Sequence, residues 1–326
     1  MRNLITGLAL GLQEHVLPYL GAHAARTHDQ TGAGGDVTFG IDTEAEAFLE
    51  RFLAEHAPEV AFYSEDRGLV KPGVTPSPHK PHDPLADRAK YVLVVDPIDG
   101  TRPALAGFES SCVSVAAAPL DQREPTMSQV ELGVVVEIKS GAVFTAEQGA
   151  GVEYRRADGG VGVVALSENT EIERMFWTLG FRGRPAVPLV TALADLIDAS
   201  SVGGAVFDLG SASYDLTRLV TGQLDAYLDV GTRIIEEVPQ LREEFEAVGG
   251  GAVLNNSPYD LAAAALCAQE AGAIVTDAHG SSLGERPLLG SGHDYQMSCV
   301  AAANEALHSR ILESLDRGFE RLRRIH

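Results

Sequence analysis

Asp96 and Asp99 stand three residues apart in the stretch VLVVDPIDGTR, Val92 to Arg102. An apolar, β-branched run ends there in two carboxylates around Pro97-Ile98, followed by Gly100 and Thr101. The proline fixes φ and enforces a tight turn. The glycine admits a backbone angle or a close approach that other residues resist. Such a turn can aim both carboxylates and the Ile98 carbonyl to one side, and hard divalent cations take oxygen donors of this kind. Taken alone, the same residues also read as a strand end and a polar turn.

Other acids stand in similar places. Glu65 and Asp66 follow an apolar pair in FYSEDRG, Asp260 opens YDLAAAALCAQEAG, and Asp42 and Glu46 lie in GGDVTFGIDTEAE. Each by itself serves equally well as a helix cap, a first-turn acid or a solvated side chain. As a set they fall at strand ends and helix starts, where layered α/β folds gather their sites.

The elements that must position these acids follow from hydrophobic periodicity. Residues 3–25 predict one helix or two, kinked or broken at Pro18, and the Gly-rich, polar stretch 26–37 predicts a loop. Ala45, Phe48, Leu49, Phe52 and Leu53 recur at helical spacing within 43–56. A short strand is expected at 60–63, an exposed Pro-rich loop at 71–87 and a strand at 91–95. Strands at 112–118, 132–138 and 142–146, closed by a turn at 149–151, predict an antiparallel meander. Beyond Ser167 come a strand at 175–179, helices at 187–199 and 213–221, a strand at 226–229, an Ala-rich helix at 259–271, a strand at 274–276 and a closing helix at 304–323. Antiparallel strands with layered helices place the chain in the α+β class. The expected division is into a half over 1–165 that carries most of the acids and a half over 166–326 that carries Asp260.

The 326 residues carry a net charge of −21, from 46 acidic and 25 basic side chains. Such a surface repels nucleic acid and anionic membranes. It also repels phosphate esters, so a phosphate-handling site here needs cations to reverse the local sign. Cys112, Cys267 and Cys299 are far apart in apolar surroundings and read as buried, reduced thiols of a cytoplasmic protein. The N-terminal LITGLALGL is short for a secretory signal and soon meets Gln13-Glu14-His15, so an opening helix of the fold is expected there. No apolar run approaches the length that spans a bilayer.

VVDPIDGTR resembles a signature of the inositol monophosphatase family, the Mg-dependent, lithium-sensitive phosphatases, which show Asp-Pro-(Ile/Leu)-Asp-Gly-Thr at a strand end. The family's Trp-Asp-x-Ala-Ala, Glu-Ala-Gly-Gly and Asp-x-x-Gly are similar to Tyr259-Asp260-Leu261-Ala262-Ala263, Glu270-Ala271-Gly272-Ala273 and Asp277-Ala278-His279-Gly280 here. GSASYDLTRLVTGQLDAYLD, residues 210–229, resembles its Gly-Ser-Ala-Ala helix and following strand, and DVTFGIDTEAE resembles its Asp-x-Val-Thr segment. These segments keep the family order over most of the chain. The resemblance implies a layered α-β-α-β-α sandwich of the sugar phosphatase type and hydrolysis of a small phosphorylated polyol or sugar by a metal-activated water. It implies two or three Mg²⁺ ions, with Mn²⁺ as a substitute and inhibition by Li⁺, held by Glu65, Asp96, the Ile98 carbonyl, Asp99 and Asp260, with Thr101 close by. Asp42 would hydrogen-bond Thr101 and help deprotonate the water. Gly100 and Thr101 would offer backbone N–H groups to the phosphate, while Asp99, Ala212 and Asp229 would face the alcohol. A homodimer is also implied.

The chain departs from the family in several places. Ser64-Glu65-Asp66 stands for Gly-Glu-Glu, Tyr259 for Trp, and Arg102-Pro103 for Thr-Asn or Arg-Asn; no lysine precedes Asp36 in the matching place. Residues 231–258 form an insertion before Asp260, which caps the pocket, reshapes specificity, joins a subunit interface or is a surface loop. Fructose-1,6-bisphosphatase or bisphosphate nucleotidase activity is the alternative and needs a basic pocket, for which Arg102, Arg182, Arg184, Arg233 and Arg242 are candidates. A non-catalytic phosphosugar-binding protein is the alternative of another class, against which the full set of expected ligands speaks. An aspartyl-nucleophile phosphatase of the Asp-x-Asp-Gly-Thr type does not fit, because two residues separate the aspartates.

Overall fold

The computed structural model describes residues 1–22, 28–31, 37–73, 89–120 and 124–326, with the side chains of 28–31 and 37–38 left aside. The chain opens with α1 (Arg2–Val16) and a short 3₁₀ turn at Leu17–Tyr19 that contains Pro18, so the helix stops just before the proline, whose missing N–H cannot continue it. The stretch expected as a loop at 26–37 contains two short strands, β1 (His28–Thr31) and β2 (Val37–Phe39), paired antiparallel. Pairing satisfies their backbone groups, and neither segment carries the apolar alternation that would have announced it. Helix α2 (Gly40–His56) follows. Most of the expected Pro-rich loop, 74–88, lies outside the described residues.

Among the described residues a seven-stranded sheet has the order β4-β3-β5-β6-β7-β8-β9. Its strands are β3 (Ala61–Ser64), β4 (Gly68–Val70), β5 (Tyr91–Asp99), β6 (Cys112–Pro119), β7 (Leu132–Glu137), β8 (Val143–Glu147) and β9 (Gly151–Arg155). The short helix α3 (Thr101–Ala106) leaves the end of β5. Strands β5 to β9 form the antiparallel meander, with β3 parallel to β5. A five-stranded sheet, β11-β10-β12-β14-β13, holds β10 (Phe176–Leu179), β11 (Ala205–Phe207), β12 (Ala226–Asp229), β13 (Ile274–Thr276) and β14 (Cys299–Ala302). The remaining helices are α4 (Ala186–Ala199), α5 (Ala212–Val220), α6 (Gly231–Glu237), α7 (Arg242–Val248), α8 (Pro258–Glu270) and α9 (Glu305–Ile325).

The burial pattern sorts these elements into five layers. In β5, Leu93 and Val95 face a core shared with Ile5, Leu8 and Leu12 of α1 and Leu49 and Leu53 of α2. Val92 and Val94 face the opposite core, with Leu216 and Leu219 of α5 and Ala263 and Cys267 of α8. A strand apolar on both faces is one sandwiched between helices. The same middle core receives Tyr227, Cys299 and Ala301 of the second sheet, whose other face packs Ala226, Leu228 and Val300 against Leu193 of α4 and Ile311 and Leu315 of α9. The order is helices, sheet, helices, sheet, helices. Close packing decides small residues: a Cβ on Gly133 of β7 would lie 2.9 Å from the Ala263 carbonyl oxygen, so α8 rides directly on the sheet.

Residues 231–258 are a folded part of the core. Ile234, Ile235, Val238, Leu241, Phe245 and Val253 are buried with α4 and α9, burial worth about 1.5–3 kcal/mol for each large apolar side chain. Cys112, Cys267 and Cys299 are buried free thiols. No helix of the described residues is long and apolar enough to cross a membrane.

Candidate active site

The pairing of β5 with β6 slips between Asp96, opposite Ser114, and Asp99, opposite Cys112. Three steps along one strand match two along the other, a bulge of the kind that re-aims side chains. Asp96 and Asp99 thereby line one cavity of about 590 Å³. The Ile98 N–H donates to Asp96 Oδ1 at 3.0 Å. Asp99 is tied from the other side of the cavity, since the Ser211 hydroxyl and the Ser213 N–H donate to its Oδ2 at 2.9 and 2.6 Å.

Asp260 arrives on the first turn of α8. The Ser257 N–H donates to its Oδ2 at 2.6 Å in a capping box, which leaves the other oxygen for the cavity. Asp96, Asp99 and Asp260 each place a carboxylate oxygen within 4.8 Å of the others. Burial, then Asp99, Asp260 and Glu65, hold the Asp96 carboxyl well above the usual range. Burial and then Asp99 push Asp260 up to about 8. Burial and mutual repulsion raise these carboxyls, with Arg182 and Arg184 opposing the rise at Asp260, and an all-oxygen donor set suits a hard divalent cation. Glu65, just past β3, lines the same cavity.

Asp42 sits in the first turn of α2 and accepts the Phe39 N–H on Oδ2 at 2.9 Å. Its Oδ1 lies 3.2 Å from the Thr101 hydroxyl, which is also 3.2 Å from the Ile98 carbonyl. Gly100 connects the bulge to α3 with φ at +88°, and a Cβ there would lie 2.7 Å from the Ser110 carbonyl oxygen and 2.8 Å from Ser211 Cβ. Both the angle and the space require glycine. Gly100, Thr101 and Ala212 line the cavity.

Asp229 is placed differently. It is fully buried, its Oδ2 ion-paired with Arg184 and its Oδ1 taking the Gly231 N–H at 3.0 Å. It is not among the lining residues; Arg184 is. Of the five candidate arginines, Arg102, Arg182 and Arg184 line the cavity. Arg233 is buried against Glu237, Asp316 and the Phe319 ring, and Arg242 pairs with Glu246.

Sequence reasoning missed Ser211 and Ser213, although Ser211 also caps α5 and a Ser-x-Ser at a helix start was there to be read. It missed Asp208 and Asp215, which line the cavity, and Leu254, Asn255 and Asn256, which the end of the insertion brings to its wall. Nothing in their spacing announced them.

Residues 1–318 match the model of the Inositol monophosphatase family. A "Fructose-1,6-bisphosphatase/inositol-1-monophosphatase" of Methanothermobacter thermautotrophicus is 25% identical over 317 residues, 97% of this chain and 96% of that protein. Among solved structures, the extragenic suppressor protein SuhB of Bartonella henselae superposes with a TM-score of 0.67 at 19% identity, covering 97% of this chain and 98% of that one. An IMPase of Thermotoga maritima gives 0.66 at 18%, covering 99% and 100%.

Proposed function

The chain belongs to the inositol monophosphatase family, and on that premise we propose that it is a metal-dependent phosphomonoesterase acting on a small phosphorylated polyol or sugar. The observation that carries this reading is the convergence of Asp96, Asp99 and Asp260 within 4.8 Å in a buried cavity. Asp96, Asp99 and Asp260 would hold one Mg²⁺; Glu65, Asp96 and the Ile98 carbonyl, beside Thr101, would hold a second. Cations there acidify a water and offset the charge of the phosphate.

The chain's own groups do the rest. Asp42 accepts the hydrogen of Thr101, whose oxygen can then take a proton from the attacking water and pass its own to the carboxylate. The backbone N–H groups of Gly100 and Thr101 face the phosphate oxygens. No nucleophilic side chain is needed. A homodimer, a cytoplasmic location and no nucleic-acid or membrane partner complete the proposal.

A second reading has a specific observation in its favour. Arg102 and Arg182 share the cavity, as a bisphosphorylated sugar or nucleotide would require. One assay separates the readings: phosphate release from myo-inositol 1-phosphate, fructose 1,6-bisphosphate and 3′-phosphoadenosine 5′-phosphate, with and without Mg²⁺, for the wild type and Asp96→Asn. Mg-dependent release lost in the variant supports the enzyme, and the preferred ester decides between one phosphate and two. Absence of release from every ester, with Mg²⁺ bound, favours a phosphosugar-binding protein.

A further inference from the structure

One wall of the cavity carries polar atoms that the protein leaves unsatisfied. Both amide atoms of Asn255 and Nε of Arg184 are shielded from solvent and lack a hydrogen-bond partner among the described residues, and both residues line the cavity. Asn255 and Arg184 adjoin, since a Cβ built on Gly231 would lie 2.1 Å from Asn255 Oδ1 and 3.2 Å from Arg184 Cγ. Asn255 is 8% exposed and Arg184 7%. A buried polar group left unpaired costs about 1–3 kcal/mol, and native proteins keep few. Several on one wall of a substrate-sized cavity call for a ligand.

The character of that ligand follows from what is left over. The charge of Arg184 is answered by Asp229, so this part of the wall carries no surplus positive charge. The unspent functions are an amide that both donates and accepts and a guanidinium N–H that donates. A hydroxyl matches the amide in both senses, whereas a phosphate, which only accepts, leaves Asn255 Oδ1 unpaired. The broad χ2 well of asparagine lets the amide turn toward the cavity at little cost.

Resting on the phosphatase reading above, we propose that Asn255, with Arg184 beside it, is the specificity-determining pair of this site and reads a hydroxyl on the alcohol part of the substrate. The preferred leaving group is polyhydroxylated, and the insertion brings Asn255 to Arg184. Its rigidity is built in: Gly183 has φ at +76° and packs so that a Cβ would meet Leu254 Cβ at 2.7 Å, which fixes the segment bearing Arg184 against the segment bearing Asn255.

The test compares Asn255→Ala with the wild type in Mg²⁺ on myo-inositol 1-phosphate, glucose 1-phosphate and p-nitrophenyl phosphate, whose leaving group has no second hydroxyl. Relative to p-nitrophenyl phosphate, kcat/KM for the better hydroxylated ester is expected to fall about tenfold or more, through KM. The melting temperature of the substrate-free variant is expected to equal or exceed that of the wild type, because the amide gives up no protein partner. An equal loss on all esters overturns the proposal, as does a melting temperature several degrees lower, which assigns the amide a structural role. A wild type that cleaves p-nitrophenyl phosphate and neither hydroxylated ester also overturns it and leaves the phosphatase reading standing. A wild type inactive on all three and on the two bisphosphates above removes that reading, and the proposal with it.

Discussion

Asp96 and Asp229 are both buried acids near the ends of core strands, one in each sheet, and their surroundings are opposite in sign. Asp96 faces Asp99 and Asp260; Asp229 faces Arg184. Burial penalises a charge unless something answers it. For Asp229 the answer is inside the chain, and the acid is withdrawn from the cavity. For Asp96 the chain supplies more of the same charge, which suits a cation from outside. On the proposed reading Asp229 is a structural acid and Asp96 a ligand-binding one, although the two look alike along the sequence.

The largest effect that tests this contrast is expected from Asp96→Asn. Activity should fall about a thousandfold or more, ~4 kcal/mol of barrier, while in chelator the melting temperature should rise, because one of three mutually repelling carboxyls is gone. Calorimetry in EDTA alongside the Mg²⁺ assay measures both; a variant less stable in EDTA would mean that the chain itself answers the charge of Asp96. At the other acid the stability effect reverses. Arg184→Met should destabilise by about 3–5 kcal/mol by leaving Asp229 buried and unpaired, and adding Asp229→Asn should restore much of the loss. Urea unfolding of the two variants checks this, and additive losses would mean the pair contributes nothing as a pair.

The same contrast explains what was legible in advance. The acidic side announces itself locally: Asp96, Asp99, Gly100 and Thr101 lie in one stretch, and Asp42 and Asp260 occupy first turns of helices. Their convergence was not legible, because it depends on the β5 bulge and on α8 crossing from the second half of the chain to cover the first sheet. The opposite wall is non-local throughout. Arg184 and Asn255 come from distant segments, and Asp229, which the resemblance sets against the alcohol part of the substrate, pairs with Arg184 behind that wall. Apolar runs such as 92–95 argue for layered α+β and the resemblance supplies the five-layer order, but β4, β9, β11 and β14 are short or flanked by turns, and only their neighbours in the sheets define them. The insertion reads as a loop because its apolar residues are spread over two short helices.

A smaller effect is expected within the acidic side. Thr101→Val keeps the shape and removes the hydroxyl between Asp42 and the Ile98 carbonyl. The turnover number should drop about a hundredfold, as for loss of a proton-transfer group, with KM little changed. Single-turnover kinetics would expose the alternative, since a change confined to KM would make Thr101 a substrate contact only.

The smallest effect concerns a buried acid answered by neither arrangement. Glu46 on α2 is 4% exposed, and its Oε2 has no partner among the described residues. Burial pushes its carboxyl up to about 8, with the Ser64 hydroxyl and Arg67 opposing the rise and Asp66 and Asp42 adding to it. With the folded value above the unfolded one of about 4.3, the folded protein holds a proton that the unfolded chain releases. The contribution is therefore complete below the unfolded value and is lost as pH rises toward 8. Glu46→Gln should match the wild type near pH 5 and exceed it by about 1–3 kcal/mol near pH 8. Urea midpoints across that range measure the divergence; parallel curves would mean that Glu46 stays ionised, and that the acids behind the site are answered from within the chain as Asp229 is.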